Sequence, residues 1–417
     1  MIELLYDPVR RVTAFAVCRD GRWSIEADVM FGQERLVPFS SDNNIIKNRV
    51  VLLPSTPSEY GTKDDLIGEI SAFLHRYLDV SPSFEDVAVY YVLFTWLYDA
   101  FNEVPYIRFQ GDYGTGKTRA LLVVGSLCNK PFFASGASTV SPIFHILDAF
   151  RGTLVLDEAD FRFSDEKAEI VKVLNNGNVN GLPVLRTMVN RQREFNPQAF
   201  RVFGPKIIAM RKAYDDQALE SRFLTEVMGG GRLRSDIPIN LPASLSEEAQ
   251  VLRNKLLLYR FRHRHEVMVR PDAASAGLTP RGRQILLPLL SIVDDDAARA
   301  SLVAFATAAQ EGTVADRGLS SEAQVLEIVR ELQEEAHKLV VPINEIAQRF
   351  AVRFGAEYER PITPRWIGTV LRQRLHLSPY KSNGRFVLPV AGSIRLEGLY
   401  ERYGLTADDR HSDLPGQ

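Results

Sequence analysis

Eight consecutive residues, Gly111-Asp112-Tyr113-Gly114-Thr115-Gly116-Lys117-Thr118, have the composition and spacing of a phosphate-binding loop. The run Tyr106–Gln110 before them has strand character, and residues 119–124 after them read as a helix. That strand–loop–helix setting separates a working loop from a chance match. Gly111, Gly114 and Gly116 let backbone N–H groups turn inward around a β-phosphate, and the helix start adds partial positive charge. Lys117 is placed to reach the β- and γ-phosphates, and the Thr118 hydroxyl to hold Mg²⁺. A glycine-rich turn with a surface lysine is the plainer alternative, and it leaves the flanks unexplained. The expected ligand is a nucleoside triphosphate, taken as ATP, with Mg²⁺.

A second half-site follows. Thr153-Leu154-Val155-Leu156 is an apolar β run that ends in Asp157-Glu158-Ala159-Asp160. A buried strand delivering Asp and then Glu supplies a Mg²⁺-shell carboxylate, Asp157, and a base for the attacking water, Glu158. The letters Asp-Glu-Ala-Asp also occur in DEAD-box RNA helicases, but the Ser-Ala-Thr and His-Arg-x-Gly-Arg motifs of those enzymes are absent.

The chain has 417 residues, 45% hydrophobic and 24% charged, which fits about two to four domains with ample core. Its two cysteines, Cys18 and Cys128, lack metal-ligand spacing and imply neither a disulfide framework nor a zinc site. The start has no basic segment of the secretory kind, and no apolar run approaches the roughly eighteen residues that span a bilayer. A cytoplasmic protein without membrane contact is expected. The net charge of −2 leaves nucleic-acid binding to local patches.

Two such patches stand out. Residues 184–212 hold Arg186, Arg191, Arg193, Arg201, Lys206, Arg211 and Lys212 against Glu194 alone. Residues 346–385 hold Arg349, Arg353, Arg360, Arg365, Arg372, Arg374, Lys381 and Arg385 against Glu357 and Glu359. Either patch is a phosphate-tracking surface or a solvated helix face.

The elements that must position these residues follow from periodicity. Residues 1–62 read as a small β-rich element, with strands around 11–17 and 48–53. Residues 63–105 form a helical prelude, including a buried helix opening at Ser83. Residues 106–310 alternate strand and helix as an α/β core with a parallel sheet and helices on both faces, plus a helical lid. Inside it, residues 185–203 read as an inserted β-hairpin carrying Arg191 and Arg193. A polar link near 311–320 precedes 320–390, where three short helices and a hairpin make a winged helix-turn-helix pattern. Arg365, Thr369, Arg372, Gln373 and His376 fall on the outer face of its third helix, with Lys381 and Arg385 on the wing. Residues 391–417 are a tail with one short helix.

The kind of NTPase turns on Leu219-Glu220-Ser221-Arg222-Phe223. An arginine there cannot easily reach its own nucleotide but can reach one bound by a neighbour, where it stabilises charge in phosphoryl transfer. A surface or salt-bridged arginine is the alternative. With this segment, residues 106–223 resemble the motor domain of AAA+ ATPases of the minichromosome maintenance (MCM)-like group, in particular the replicative helicases of bacterial and phage mobile elements. The resemblance implies an AAA+ P-loop core with a C-terminal winged helix, acting as a homo-oligomer, a hexamer by the usual AAA+ number. It also implies a pore-lining hairpin whose Arg191 and Arg193 grip DNA, and a second arginine, Arg283, contacting nucleotide. Two departures accompany it: the family's sensor-1 asparagine has no match, the strand running Ala209-Met210-Arg211-Lys212, and no zinc-binding N-terminal domain is present. The reading is an ATP-dependent DNA helicase or translocase. An ATP-switched initiator or loader and a protein-remodelling machine are the alternatives.

Overall fold

Apolar runs that are each followed by a helix form parallel strands, because the helix returns the chain to the starting edge of the sheet. The computed structural model describes residues 1–405 except 158, 160–163, 190–194, 215, 230–232, 270–274, 319, 337, 356–357, 359–360 and 383. The side chains of 164–167, 187–189, 195–196, 313–318 and 336 are likewise outside the described set.

The chain divides into two compact units, Met1–Thr307 and Ala308–Gln417. The first opens with an antiparallel sheet, β1 (Ile2–Asp7), β2 (Val12–Arg19) and β3 (Arg22–Glu26), and a hairpin, β4 (Val29–Phe31) and β5 (Glu34–Leu36). Helices α1 (Asn44–Lys47), α2 (Lys63–Tyr77) and α3 (Pro82–Thr95) follow. The sheet that carries the chemistry comes next: β6 (Tyr106–Gln110), α4 (Lys117–Leu127), β7 (Phe132–Ser135), α5 (Val140–Phe150), β8 (Leu154–Asp157) and α6 (Ser164–Asn176). The hairpin β9 (Val184–Val189) and β10 (Phe195–Phe200) precedes β11 (Lys206–Met210), α7 (Gln217–Glu220) and β12 (Phe223–Val227). The order is β12-β6-β11-β8-β7, with every pairing parallel. Helices α8 (Leu245–His263) and α9 (Pro280–Leu290) complete this unit, and α10 (Asp296–Gly318) crosses its boundary.

Three local expectations are corrected. Residues 48–53 are not a strand: Val51 makes a single bridge to Phe132, and the Leu52 N–H donates to the Pro131 carbonyl at 2.9 Å. The following Pro54 has no N–H to continue a ladder. The buried helix opens at Ser81 rather than Ser83, with Pro82 in its first turn. Glu226 of β12 selects that start by accepting from the Ser81 N–H at 2.6 Å and the Ser81 hydroxyl at 2.9 Å. The expected polar link near 311–320 is helical through Gly318.

The N-terminal strands share one apolar core with the parallel sheet, from Leu4, Leu5 and Ala16 through Phe84, Tyr91 and Phe109 to Leu256. A charged network sits inside it. Glu3, 4% exposed, accepts from Arg260 of α8 at 2.7 Å and from Lys130 at 2.6 Å. Arg260 also reaches Asp99 at 2.8 Å and the Trp96 carbonyl at 2.6 Å. Burial pushes the Glu3 pKa up, but Lys130 and then Arg260 outweigh it and hold the carboxyl below its ordinary value.

The second unit contains α11 (Ser321–Ala336), β13 (Val340–Pro342), α12 (Ile343–Phe354), α13 (Pro364–Thr369), β14 (Tyr380–Ser382), β15 (Arg385–Pro389) and α14 (Ile394–Arg402). The antiparallel order is β13-β15-β14. Its core gathers Leu326, Val329, Ile346, Phe350, Ile367 and Leu371. Thr363 caps α13 with Pro364 in its first turn, and the chain leaves α geometry for a π-helical turn at Val370–Arg374.

Removing Glu3 leaves Arg260 with Asp99 as its carboxylate partner and takes from the partly buried Lys130 the carboxylate it pairs with. Glu3→Gln is expected to lower unfolding stability by about 3–5 kcal/mol near neutral pH, read from the urea midpoint. Because the folded pKa is depressed, this contribution is complete above the unfolded pKa and fades as pH falls below about 4. The gap between wild type and variant should close in that direction; a gap independent of pH would contradict the assignment.

Candidate nucleotide site

The phosphate loop leaves the carboxyl end of β6, and its glycines shape it for different reasons. Gly114 and Gly116 have φ of 73° and 88°, which a residue with a β-carbon adopts only at a cost. At Gly111 the constraint is space: an added β-carbon would lie 2.6 Å from the Met228 carbonyl oxygen and 2.9 Å from Thr115 Oγ1. Met228, just past β12, donates its N–H to the Gln110 carbonyl at 2.6 Å. The chain after β12 therefore lies against the loop. Helix α4 begins at Lys117 with no side chain capping its first turn, which leaves backbone N–H groups for an anion. Lys117 Nζ donates to the Asp112 carbonyl at 2.5 Å.

Strand β8 brings the second half-site to the same end of the sheet. Between β6 and β8 runs β11, paired Ile208 to Arg108 on one side and to Leu156 on the other. Thr118 Oγ1 reaches past β11 and donates to Asp157 Oδ2 at 2.7 Å. One hydroxyl and one carboxylate are both hard oxygen donors, a pair that could hold Mg²⁺ with phosphate and water in the other positions of its octahedral shell. Among the described residues no cluster of three or more His, Cys, Asp or Glu could enclose a metal. Glu158 lies outside the described residues.

Arg222 occupies the opposite edge. The register Phe223 to Tyr106 through Val227 to Gln110 puts it before the amino end of β12, whereas the loop follows the carboxyl end of β6. About five strand residues, roughly 16 Å, separate the two, farther than an arginine side chain extends. The guanidinium is held by neutral acceptors: Asn178 Oδ1 at 2.8 Å, the Ala218 carbonyl at 2.8 Å and Asn175 Oδ1. Arg108 of β6 steadies the preceding helix through Glu220 at 2.6 Å. Arg283 is exposed near the start of α9, donating to the Leu278 carbonyl at 3.1 Å. That helix start belongs to the Arg222 edge, since Arg281 lies 3.6 Å from Glu103, just ahead of β6. Burial, and then Arg222, depress the Arg281 pKa. Arg222 and the start of α9 are thus on one side and the phosphate loop on the other.

The basic patches need revision. Lys206 is fully buried and donates to the carbonyls of Val202 and Gly204 at 2.9 Å and Gly177 at 3.3 Å. It cannot contact DNA. Arg186 pairs with Glu169 and packs 5.0 Å from the Phe144 ring centroid. Arg201 and Lys212 are exposed; Arg191 and Arg193 lie outside the described residues. In the second unit Arg349 pairs with Glu335, Arg353 with Glu327 and Glu331, and Arg374 with Glu322. Arg365, Arg372, Lys381 and Arg385 are exposed with no carboxylate partner among the described residues; Arg360 lies outside them.

Sequence reasoning missed Asn175, Asn178 and Met228. They act through contacts 44 to 118 residues away, and no local pattern marks such a contact. Lys117→Ala is expected to weaken ATP binding at least ten-fold by removing a charge-assisted bond to phosphate, with the melting profile unchanged. Titration calorimetry with ATP and Mg²⁺ checks the affinity, and thermal unfolding of the ligand-free protein checks the melting profile.

No protein-family model matches the chain, and no curated protein matches it. Among solved structures, the C-terminal region of NrS-1 (A form, apo) aligns over 93% of this chain and 96% of its own, with 12% identity and a TM-score of 0.40. The ORC1 protein of Aeropyrum pernix in complex with DNA aligns over 80% of this chain and 96% of its own, with 13% identity and a TM-score of 0.25. Cdc6p of Pyrobaculum aerophilum aligns over 84% and 94%, with 13% identity and a TM-score of 0.22. Likenesses this weak carry no conclusion about fold or function.

Proposed function

We propose that the chain is an AAA+ ATPase whose catalytic sites are shared between adjacent copies of a ring, and that the ring moves on DNA. The observation that carries nucleotide binding is the 2.7 Å bond between Thr118 and Asp157 beneath a glycine-shaped loop. The sharing is supported by the distance from that loop to Arg222 within one chain.

The roles follow from chemistry. Lys117 and the first turn of α4 hold the phosphates, while Thr118 and Asp157 hold Mg²⁺, which neutralises charge on the phosphate oxygens. Glu158 takes the proton of the attacking water. Arg222, entering from a neighbouring copy with Arg283 beside it, stabilises the charge that develops on the transferred group, an effect of about 10³–10⁵ in rate. The finer reading is a hexameric DNA helicase or translocase of the MCM-like kind serving replication of a mobile element, with Arg191 and Arg193 on a pore hairpin. The second unit is read as a winged helix. In it α11, α12 and α13 pack on a three-stranded sheet, with Arg365 and Arg372 toward one groove and Lys381 on the wing.

Shared sites have a distinctive consequence. Lys117→Ala and Arg222→Ala should each be nearly inactive, yet mixing them should restore measurable ATPase, because some interfaces pair an intact loop with an intact arginine. No recovery on mixing, or full turnover by dilute monomer, would sink the proposal. For the second unit, replacing Arg365, Arg372 and Lys381 together by Ala should reduce the salt slope of DNA binding by about 2–3 and leave ATPase without DNA unchanged. A strand-displacement assay then separates a motor from a loader that hydrolyses ATP without releasing a strand.

A further inference from the structure

Arg108, Arg186 and Arg260 of the first unit each close on a carboxylate, Glu220, Glu169 and Glu3 respectively. Arg222 is half-buried and does not. Its Nε donates to Asn178 Oδ1, and its Nη1 to Asn175 Oδ1 and the Ala218 carbonyl, all neutral acceptors. Among the described residues Nη2 meets no acceptor, so both of its N–H groups stay open. A carboxylate is at hand but held one step away. Asn175 accepts from Arg222 and donates from Nδ2 to Asp216 Oδ2 at 3.0 Å. That bond is the first cause that keeps the Asp216 carboxyl below its ordinary value and therefore charged. Asn178 is 1% exposed, and its Nδ2 has no partner among the described residues. A buried donor without a partner is costly. An aspartate there would remove that donor and pair with the guanidinium as well, so stability alone does not favour the amide.

We propose that Asn175 and Asn178 are positioning residues: they aim Arg222 at a neighbouring copy of the chain while leaving its charge uncompensated. The inference rests on the shared-site reading above. Bonds from Nε and Nη1 fix the plane of the guanidinium, which lowers the entropy lost when it meets a phosphate. Neutral acceptors compete weakly with phosphate oxygens for the same cation, whereas a carboxylate partner forms the stronger, charge-assisted kind of bond and would have to be displaced first. Asn175 also stands between the guanidinium and Asp216, so the carboxylate that caps α7 does not neutralise the arginine. The backbone of Asn178 is itself anchored, its carbonyl accepting from the Val104 N–H at 2.9 Å just ahead of β6. The cradle is therefore tied to the strand that leads into the phosphate loop, and not to a free turn.

The test uses the full-length chain with ATP and Mg²⁺. Asn178→Asp keeps the size of the side chain and an acceptor oxygen toward Arg222, so a purely structural role leaves turnover unchanged. The cradle instead requires kcat to fall about ten- to hundred-fold with the KM for ATP unchanged, because the variant's own phosphate loop is intact. Mixing locates the defect. Asn178→Asp with Lys117→Ala should regain ATPase, since some interfaces then pair an intact loop with an uncompensated arginine; Asn178→Asp with Arg222→Ala should not. Wild-type kcat in Asn178→Asp, a loss that Lys117→Ala does not restore, or equal recovery in both mixtures overturns the cradle. The shared-site reading still stands in those cases if Arg222→Ala is inactive and regains ATPase with Lys117→Ala. Full turnover by Arg222→Ala ends both. Should Asn178→Asp fail to fold, Asn175→Asp at the less buried position decides by the same kcat and mixing measurements, with the same outcomes for and against.

Discussion

All five strands of the central sheet run in one direction, and this common polarity governs where each functional group stands. The carboxyl ends of β6 and β8 meet at one edge, where loops turn into helix N-termini and backbone N–H groups accumulate. The amino ends of β6 and β12 meet at the other, and there the chain places Arg222 and the start of α9. Register, not side-chain flexibility, keeps the two sets apart. The phosphate loop, Thr118 and Asp157 stand on one edge, and a guanidinium held by neutral acceptors stands on the other. In the function proposed above, a second copy of the chain brings the two edges together.

Buried polar and charged side chains tie together the segments that carry those edges. Lys206 lies under the Tyr106 ring, with Nζ 4.8 Å from its centroid, and three carbonyls hold the ammonium. Burial pushes its pKa far down. Those carbonyls belong to the end of α6 and the return from β10, so one side chain ties the hairpin base to the segment bearing Asn175 and Asn178. Arg108, 5% exposed, links the phosphate-loop strand to the helix before Arg222. Glu3 and Arg260 join the first strand of the chain to α8. Such pairs add little net stability compared with apolar packing, but breaking one costs several kcal/mol. They therefore fix relative position more than they add to overall stability.

Charge counted along the chain and charge available to a partner are different quantities. Of the eight cations between residues 346 and 385, three are neutralised by glutamates of α11. The four exposed ones with no carboxylate partner among the described residues fall on α13, its π-helical extension and the two wing strands. Ion pairs of this exposed kind are individually weak, yet they remove a cation from the surface potential that a polyanion meets. The same sorting applies to residues 184–212, where Lys206 turns inward and Arg186 is paired.

Features that depend on adjacent residues were determined by the sequence itself. A phosphate loop needs contiguous backbone, so its glycines, lysine and threonine appear as one string. The strand ending at Asp157, the Thr363-Pro364 helix start and the apolar stripe Ile343, Ile346, Phe350 are local in the same sense, since period and capping act within a few residues. The bond from Thr118 to Asp157 spans 39 residues, the grip of Asn178 on Arg222 spans 44, and the contact of Arg211 with Tyr113 spans 98. Only tertiary structure decided these, along with which lysine is buried and which edge Arg222 occupies. The register of a parallel sheet sets distances between segments whose separation along the chain leaves no trace in hydrophobic periodicity.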